Sequence, residues 1–291
     1  MKNDPAGEKP QLLRKPPWLK IKVPKGKKFV EVKEVVSAHN LHTICQSGLC
    51  PNMAECWEAG TATFMILGDI CTRSCRFCAT QTGKPLPPDP GEPQAIARAI
   101  HTMGLKHAVL TSVDRDDLPD RGAAHWADTI RAVRELNPGT TLEVLIPDFD
   151  GNHEWIRLIT DEHPDVISHN LETVERLTPQ VRNKANYLTS LNVIRIIADE
   201  GCRTKSGIML GLGETEAEIL LTMDHLLEAG CTIITLGQYL QPSSRHLPVE
   251  KYYHHDEFGK YAGIARSKGF RFVESAPLVR SSYHAERHVC D

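Results

Sequence analysis

The 291-residue sequence lacks several features that mark large classes of proteins. It has no apolar run near the roughly 18 residues of a membrane-spanning helix, so no such span is expected. Its first residues are polar and rich in proline, without the apolar segment of a secretory signal, and Asp4 and Glu8 are unlike an organelle transit peptide. A basic patch interleaved with aromatic residues is also missing, as is a helix-turn-helix pattern, which argues against a nucleic-acid partner.

What the sequence does contain is nine cysteines and a 41% share of hydrophobic residues. That share can bury a full core, so we expect one large domain with extensions. Many thiols without an export signal indicate a reducing compartment, and a cytoplasmic location is expected. Residues 1–34 hold ten Lys and Arg against four Asp and Glu, whereas the remainder is acidic. Such a basic arm can dock an acidic partner or can be a solvated tail.

Three cysteines, Cys71, Cys75 and Cys78, stand at C-x3-C-x2-C spacing directly after the apolar stretch Phe64–Leu67. We call them the loop triad. Three thiols this close can hold three irons of a cubane iron–sulfur cluster and leave the fourth iron without a protein ligand. An open iron can bind and reduce a substrate or cofactor, so the spacing indicates a cluster that performs chemistry.

Two other interpretations of the loop triad remain open. A structural zinc site usually has four ligands in two C-x2-C pairs, and only Cys75 and Cys78 have that spacing here. A disulfide framework is typical of short secreted chains in an oxidising compartment. Both fit this sequence less well than the open cluster does.

The loop triad resembles the radical S-adenosylmethionine (SAM) superfamily. The resemblance implies that SAM binds the open iron and that an electron from the cluster cleaves it to a 5′-deoxyadenosyl radical. Phe77, just before the third thiol, matches the aromatic position that lies near the adenine in that superfamily. Thiolate ligands keep the cluster potential low, as this cleavage requires.

A second group, Cys45, Cys50 and Cys56, precedes the loop triad; we call it the N-terminal triad. Taken alone, its spacing also permits a zinc or redox site. The two triads together with Arg280-Ser281-Ser282-Tyr283 resemble the lipoyl synthase family, and the resemblance extends over about residues 20–287. In that family the serine before the tyrosine is the fourth ligand of an auxiliary cluster, which makes Ser282 the candidate. An alkoxide is a harder and more labile iron ligand than a thiolate, which suits a cluster that is consumed.

From Thr61 onward, short apolar runs alternate with amphipathic helix patterns, which predicts a parallel sheet with helices outside. The clearest helix is predicted to begin with the capping box Thr215-Glu216-Ala217-Glu218. About six such units can be counted, fewer than the eight of a closed barrel, so we expect an incomplete (β/α)6 barrel. Residues 1–60 would form an N-terminal extension, 61–275 the barrel and 276–291 a C-terminal extension. The predicted strands are Phe64–Leu67, Ala108–Thr111, Leu142–Ile146, Val166–His169, Ser206–Leu210, Ile233–Leu236 and Phe270–Glu274.

Active residues of barrels gather at the carboxyl ends of the strands, where this sequence has unusual polar clusters. The superfamily's usual Gly-Gly-Glu after the second strand is absent, and Thr111, Ser112 and Asp114 stand in its place. Asn170 and Glu172 follow the fourth strand and could hydrogen-bond a ribose. Gly211 lies in a stretch that resembles the superfamily's glycine-rich contact with adenine, although an ordinary tight turn would also explain it.

The family resemblance implies insertion of two sulfur atoms, at C6 and C8, into an octanoyl group linked to a lysine of a lipoyl carrier domain. The implied cofactors are SAM and two 4Fe–4S clusters, one of which donates sulfur. The implied partners are the acyltransferases of 2-oxoacid dehydrogenases, the glycine cleavage H protein, and an electron donor such as ferredoxin or flavodoxin. Other sulfur-inserting enzymes, similar to biotin synthase or the methylthiotransferases, lack this pairing of motifs. A zinc-stapled binding protein is the alternative of a different class.

Overall fold

A computed structural model describes residues 13–20, 26–59 and 61–289. One eight-stranded sheet has the order β1-β2-β5-β6-β7-β8-β9-β10, and a separate two-stranded sheet pairs β3 with β4. The strands are β1 His42–Thr43, β2 Thr63–Ile66, β3 Ile70–Cys71, β4 Gln81–Thr82, β5 His107–Ser112, β6 Thr141–Leu145, β7 Val166–Ser168, β8 Thr204–Leu210, β9 Ile233–Gln238 and β10 Phe272–Ser275.

Ten α-helices are found in the described residues, and most of the long ones connect consecutive strands of the main sheet. Their bounds are α1 Lys27–Ala38, α2 Ile44–Ser47, α3 Met53–Glu58, α4 Glu92–Met103, α5 Ala123–Leu136, α6 His153–Thr160, α7 Thr178–Val181, α8 Tyr187–Asp199, α9 Glu216–Glu228 and α10 His255–Lys268. None of these helices is long and apolar enough to cross a membrane.

The main sheet confirms the predicted architecture of an incomplete barrel. All neighbours from β2 to β10 pair in parallel, and six of these strands are each followed by at least one helix before the next strand of the main sheet. The sheet begins at β1 and ends at β10, and within the described residues these two strands do not pair with each other. Only β1 is antiparallel, with His42 opposite Met65 and Thr43 opposite Phe64.

Most strand residues are buried on both faces, as is usual when helices cover a parallel sheet, and the buried set also includes polar side chains such as Glu143 of β6 and Lys205 of β8. Every residue of β2 and of β9 is buried. The core has two main parts, one where α4 and α5 pack on β2, β5 and β6, and one where α9 and α10 pack on β8 and β9. This scaffold leaves the carboxyl ends of the strands at one edge.

Two extensions flank the barrel, one at each end of the chain. The N-terminal one contains α1, α2 and α3, and Trp57 of α3 is almost fully buried against Phe29 of α1, with ring centroids 5.0 Å apart. The C-terminal one, residues 277–289, follows β10 and is called the C-terminal strap below. The proposed domain limits at 60 and 275 stay a prediction, and residues 1–12 and 21–25 of the basic arm lie outside the described residues.

The predicted capping box at the start of α9 is present. Thr215 Oγ1 accepts from the Glu218 amide at 3.3 Å, and Glu218 Oε2 accepts from the Thr215 amide at 2.8 Å. These bonds satisfy two backbone donors that a helix start otherwise leaves unpaired.

Replacing Thr215 by Ala should therefore lower the free energy of unfolding by about 1 kcal/mol, because the cap is lost. Urea denaturation of the metal-free chain measures the change. Thr215→Ser keeps the hydroxyl and is the matched control. Equal losses in the two variants would show that the hydroxyl does not stabilise the helix.

Candidate functional site

The loop triad begins at the carboxyl end of β3 and continues in the loop that leads to β4. The Cys78 amide donates to the Cys75 carbonyl at 3.1 Å, so the chain turns tightly between these two thiols. The Thr72 amide donates to the Asp114 carbonyl at 3.0 Å, which ties the loop to the end of β5. The loop is thus fixed by a hydrogen bond within itself and by one to the segment that follows β5.

Arg73 holds the same loop through buried carboxylates. Its guanidinium donates to Asp148 at 2.6 and 2.8 Å and to Asp116 at 2.8 to 3.2 Å, and the residue is 7% exposed. Burial disfavours the ionised carboxyl of Asp116, but the hydrogen bonds from Arg73 outweigh it and lower the pKa to about 2. The planar guanidinium suits this paired geometry, which a lysine could not reproduce.

The thiols of the loop triad are neutral in the metal-free chain. Burial raises the pKa of Cys71 to about 11 and of Cys75 to about 12, and the Asp114 carboxylate adds to both shifts. Burial also raises the pKa of Cys78, and Cys71 and Cys75 each respond to the charge of Cys78. The three sulfurs are therefore near neighbours that become thiolates only when positive charge arrives.

Residues predicted at the strand ends surround this triad. Asp114 Oδ2 accepts from the Cys71 thiol at 3.7 Å, and the charge of Glu172 acts on Cys75 and Cys78. Asn170 donates to Glu172 at 3.1 Å, while its Oδ1 is buried without a partner. Ser112 Oγ at the end of β5 is likewise buried without a partner. Six other buried side-chain atoms in the described residues, such as Trp126 Nε1, are also unpaired, but Ser112 Oγ and Asn170 Oδ1 lie at the strand ends and are free to bind a ligand there.

Glu172 has a left-handed backbone, with φ of 67°, which is uncommon for a residue with a side chain. Burial raises the pKa of its carboxyl despite the nearby Arg182. Strain of this kind is held by surrounding structure, here by the Glu172 amide bonded to the Gly207 carbonyl at 3.0 Å.

The other predicted SAM residues have contacts within the protein. Thr111 donates to the Leu145 carbonyl at 3.2 Å. Gly211 has φ of 109°, and a Cβ there would lie 2.3 Å from Nε2 of Gln238, so only glycine fits. Phe77 is half-buried against the apolar cluster around Tyr239. None of these contacts identifies a bound cofactor.

The N-terminal triad is carried by the two short helices α2 and α3. Cys45 lies in α2, Cys56 in α3, and Cys50 between them. Burial raises the pKa of all three thiols, that of Cys56 to about 12, and Cys56 responds to the charges of Cys50 and Cys45. These thiols are also near neighbours.

Ser282 lies beside this triad. Thr63 Oγ1 donates to Ser282 Oγ at 2.9 Å, and Thr63 also contacts the thiol of Cys45. Two further bonds join the strap to α3 and its start: Asn52 Nδ2 donates to the Leu278 carbonyl at 2.6 Å, and Tyr283 donates to Glu55 at 3.1 Å. Ser282, which is 226 positions from Cys56 in sequence, is thereby brought near the three thiols.

Arg280 connects the two triads. Burial lowers the pKa of its guanidinium, while the negative charges of Cys50 and Glu172 oppose that change. Because Glu172 also acts on Cys75 and Cys78, the two triads border one set of buried charges. They do not face opposite sides of the molecule.

The donor sets fit two iron–sulfur clusters. Each triad brings three thiols together, of which Cys45 is buried and the other five are partly buried, and the N-terminal triad adds a hydroxyl. Within the described residues no three His, Cys, Asp or Glu side chains converge on a single metal ion. Ligands of a cubane lie further apart than that, since each thiolate binds a different iron.

Sequence reasoning did not identify three residues of this site: Thr63, Arg73 as a loop anchor, and Arg182. Arg182 donates to the Asn170 carbonyl at 3.1 Å and to Ser190 Oγ at 3.0 Å, and its charge acts on Cys75. No local motif surrounds Arg182 or Thr63, so no sequence signal was available for them. Arg73 stands inside the loop triad, and its two distant carboxylate partners could not be read from spacing.

Comparisons with known proteins show the family of this chain. A family model for the radical SAM superfamily matches residues 65–226, and one for the N-terminal domain of lipoyl synthase of the radical SAM family matches residues 2–50. The chain is 61% identical over 277 residues to lipoyl synthases of Bacteroides fragilis (strain YCH46) and Phocaeicola vulgatus, covering 95% of this chain and 96% and 98% of theirs.

Among solved structures, Streptococcus suis SuiB bound to S-adenosylmethionine is similar with a TM-score of 0.60 at 11% identity. The likeness covers 78% of this chain and 54% of that one, so this chain spans about half the length of SuiB. At this identity the comparison shows the fold alone.

His169 is part of the protein interior and does not point to a ligand. It is 2% exposed; its Nδ1 lies 3.0 Å from the Ile146 carbonyl and its Nε2 3.0 Å from Ser190 Oγ. Burial lowers its pKa to about 4, against 6.5 in an unfolded chain.

In the unfolded state His169 therefore binds a proton below pH 6.5, whereas in the folded state it binds one only near pH 4. Stability from this group is complete above pH 6.5 and is lost as pH falls toward 4, by at most about 3 kcal/mol. Denaturation of the metal-free chain across this range measures the slope. In His169→Gln the same segment of the curve should be flatter; an unchanged slope would mean that His169 titrates normally.

Proposed function

The chain belongs to the lipoyl synthase family, and on that premise we propose which residues carry each part of the reaction. The reaction is radical SAM-dependent insertion of sulfur at C6 and C8 of an octanoyl group on a lipoyl carrier protein. SAM and one 4Fe–4S cluster supply a 5′-deoxyadenosyl radical, and a second cluster supplies sulfur.

Cys71, Cys75 and Cys78 hold the reducing cluster in this proposal. The nearby carboxylates of Asp114 and Glu172 place negative charge around the thiols. Negative charge opposes the addition of an electron and so keeps the potential low, which a one-electron cleavage of a sulfonium needs. Arg73 fixes the loop and so positions all three thiols.

SAM is bound beside these thiols by polar groups at the strand ends. Ser112 Oγ and Asn170 Oδ1 are buried and unpaired, which supports a hydrogen-bonding role for both. Asp114 and Glu172 are acceptors suited to an ammonium group and a ribose. We assign further contacts to Thr111, Phe77 and Gly211, with Phe77 and Gly211 on the adenine side.

Cys45, Cys50, Cys56 and Ser282 hold the sulfur-donating cluster. The observation that carries this assignment is the hydrogen bond between Thr63 and Ser282, because Thr63 also contacts Cys45. The half-buried Ser282 hydroxyl is thereby placed near the thiols that would bind the same cluster. Arg280, whose charge interacts with both Cys50 and Glu172, is assigned to electrostatic or closing contacts near the donor cluster.

The carrier partners are proposed to be acyltransferase domains of 2-oxoacid dehydrogenases and the glycine cleavage H protein, with ferredoxin or flavodoxin as electron donor. The basic arm in residues 1–34 is suited to an acidic carrier. Lys15, a described part of the arm, lies close enough to Arg280 for its pKa to be lowered by burial and by that charge.

Anaerobic purification tests the proposal against the zinc alternative. We expect a brown protein with about eight irons per chain, whereas a zinc-stapled scaffold would be colourless. Incubation with SAM, reductant and an octanoylated carrier peptide should give the mass of the lipoyl product.

Two substitutions separate the roles of the triads. Cys75→Ala should abolish SAM cleavage, because the reducing cluster loses a ligand. Cys50→Ala should still form 5′-deoxyadenosine but should give no lipoyl product. Chromatography of both products measures the difference, and native lipoyl yield from Cys50→Ala would contradict the donor role.

Docking by the basic arm has its own test. Raising the salt concentration should weaken binding of an octanoylated carrier domain, because the Debye length shortens from about 10 Å at 0.1 M to about 3 Å at 1 M. Replacing Lys20, Lys22 and Lys25 of the arm by Gln removes three positive charges and should raise the dissociation constant at low salt, as measured by calorimetry. Deleting residues 1–12, which carry two Lys against Asp4 and Glu8, is the charge-neutral control, and unchanged affinity in the Gln variant would remove the arm from the interface.

A further inference from the structure

The C-terminal strap is held at two separate places along the barrel. Near the site, Asn170 donates to Ser281 Oγ at 2.6 Å and Thr63 donates to Ser282 Oγ at 2.9 Å. Six residues later, at the end of the short 3-10 helix Ala285–His288, the strap reaches Lys205, the second residue of β8. The strap thus runs from the carboxyl ends of the strands toward their amino-terminal halves.

His288 contacts a buried ion pair at that second place. Lys205 Nζ donates to Glu143 Oε1 and Oε2 at 2.8 and 2.9 Å and to His288 Nδ1 at 3.3 Å. All three residues are at most 1% exposed. Arg203 Nη1 also donates to the His288 carbonyl, so the backbone is held too. Ser168 Oγ donates to Glu143 at 3.1 Å.

The ammonium of Lys205 has three protons, and each has an acceptor only while His288 is in place. An unpaired donor on a buried charge is costly, so the pair favours the bound strap. Buried ion pairs seldom increase stability over apolar residues of the same volume. A role in fixing one arrangement of the chain explains this pair better than stability does.

Close packing constrains the strap on the way to this contact. A Cβ on Gly237 of β9 would lie 2.2 Å from the Val279 carbonyl oxygen, so the strap passes directly over the glycine. Ser282 therefore lies between two fixed points. This matters because a hydroxyl is a weak ligand for iron, and its occupancy depends on how accurately it is placed.

We propose that Glu143, Lys205 and His288 form an anchor that positions the C-terminal strap, and with it Ser282, beside the N-terminal triad. The inference rests on the proposed role of Ser282 as a ligand. These three are positioning residues, since they touch neither cluster nor substrate. The anchor keeps Ser282 near the thiols even when it is not bound to iron.

Hydrogen exchange of the metal-free chain tests the anchor without any cluster. In His288→Leu, the amides of residues 280–289 should exchange about tenfold faster or more, because the strap opens locally. After cluster assembly and chelator challenge, this variant should lose up to about four of about eight irons. It should still cleave SAM while its lipoyl yield per 5′-deoxyadenosine falls.

Three further variants make the result specific. His288→Gln retains an acceptor for Lys205 and should restore part of the protection. The double variant Glu143→Leu/Lys205→Met leaves no buried charge unpaired, so it should fold and should also free the strap. His225→Leu is the matched control: it removes a histidine bond to Tyr187, 3.1 Å long, on the outer helix α9. Strap exchange and iron content should not change in it.

Ser282→Ala distinguishes failure of the anchor from failure of the proposed function. If Ser282→Ala loses donor iron but His288→Leu and the double variant keep native strap exchange and iron, the anchor is overturned and the ligand role stands. If Ser282→Ala keeps full iron and product, the ligand role itself is overturned. Faster strap exchange in His225→Leu equal to that in His288→Leu would also refute the anchor.

Discussion

The two cysteine triads are connected through buried charges, and the chemistry of the site depends on that connection. Glu172 acts on Cys75 and Cys78 and also on Arg280, which in turn acts on Cys50. In a poorly hydrated interior such charges interact more strongly than in water. Two groups of thiols that are separate in sequence therefore share one electrostatic environment.

The same burial keeps the six thiols protonated in the metal-free chain. Removal from water raises the pKa of all six cysteines, and the nearby carboxylates raise those of Cys71 and Cys75 further. Each triad is thus a set of neutral neighbours until a cluster compensates the charge of the thiolates. Metal binding and deprotonation are one event at both places.

Much of the fold could be predicted because its signals are local. Apolar runs predicted the seven parallel strands, with every boundary correct to within two residues. Thr215 and Glu218 predicted the start of α9. Helix α1 and the antiparallel strand β1 were not predicted. Only two residues of α1 are buried and β1 is two residues long, so neither has a clear hydrophobic periodicity. Helix α10 did have a signal in Phe258, Tyr261 and Ala265, which was not used.

The candidate site likewise contains residues that the sequence predicts and residues that it does not. The cysteines and Ser282 were identified by motif, whereas Thr63, Arg182 and the pair of Glu143 and Lys205 join residues far apart in sequence and have no local pattern. Such contacts exist only once the barrel has formed.

The Arg73 network has a consequence for how the two cysteine sites are built. Its paired bonds to Asp116 and Asp148 make the loop between Cys71 and Cys75 rigid in the metal-free protein. The N-terminal triad rests instead on helices of four and six residues and on a returning chain end. In the proposed assignment, the loop triad takes up its cluster without rearrangement, whereas the N-terminal triad can change shape as its cluster is consumed and rebuilt.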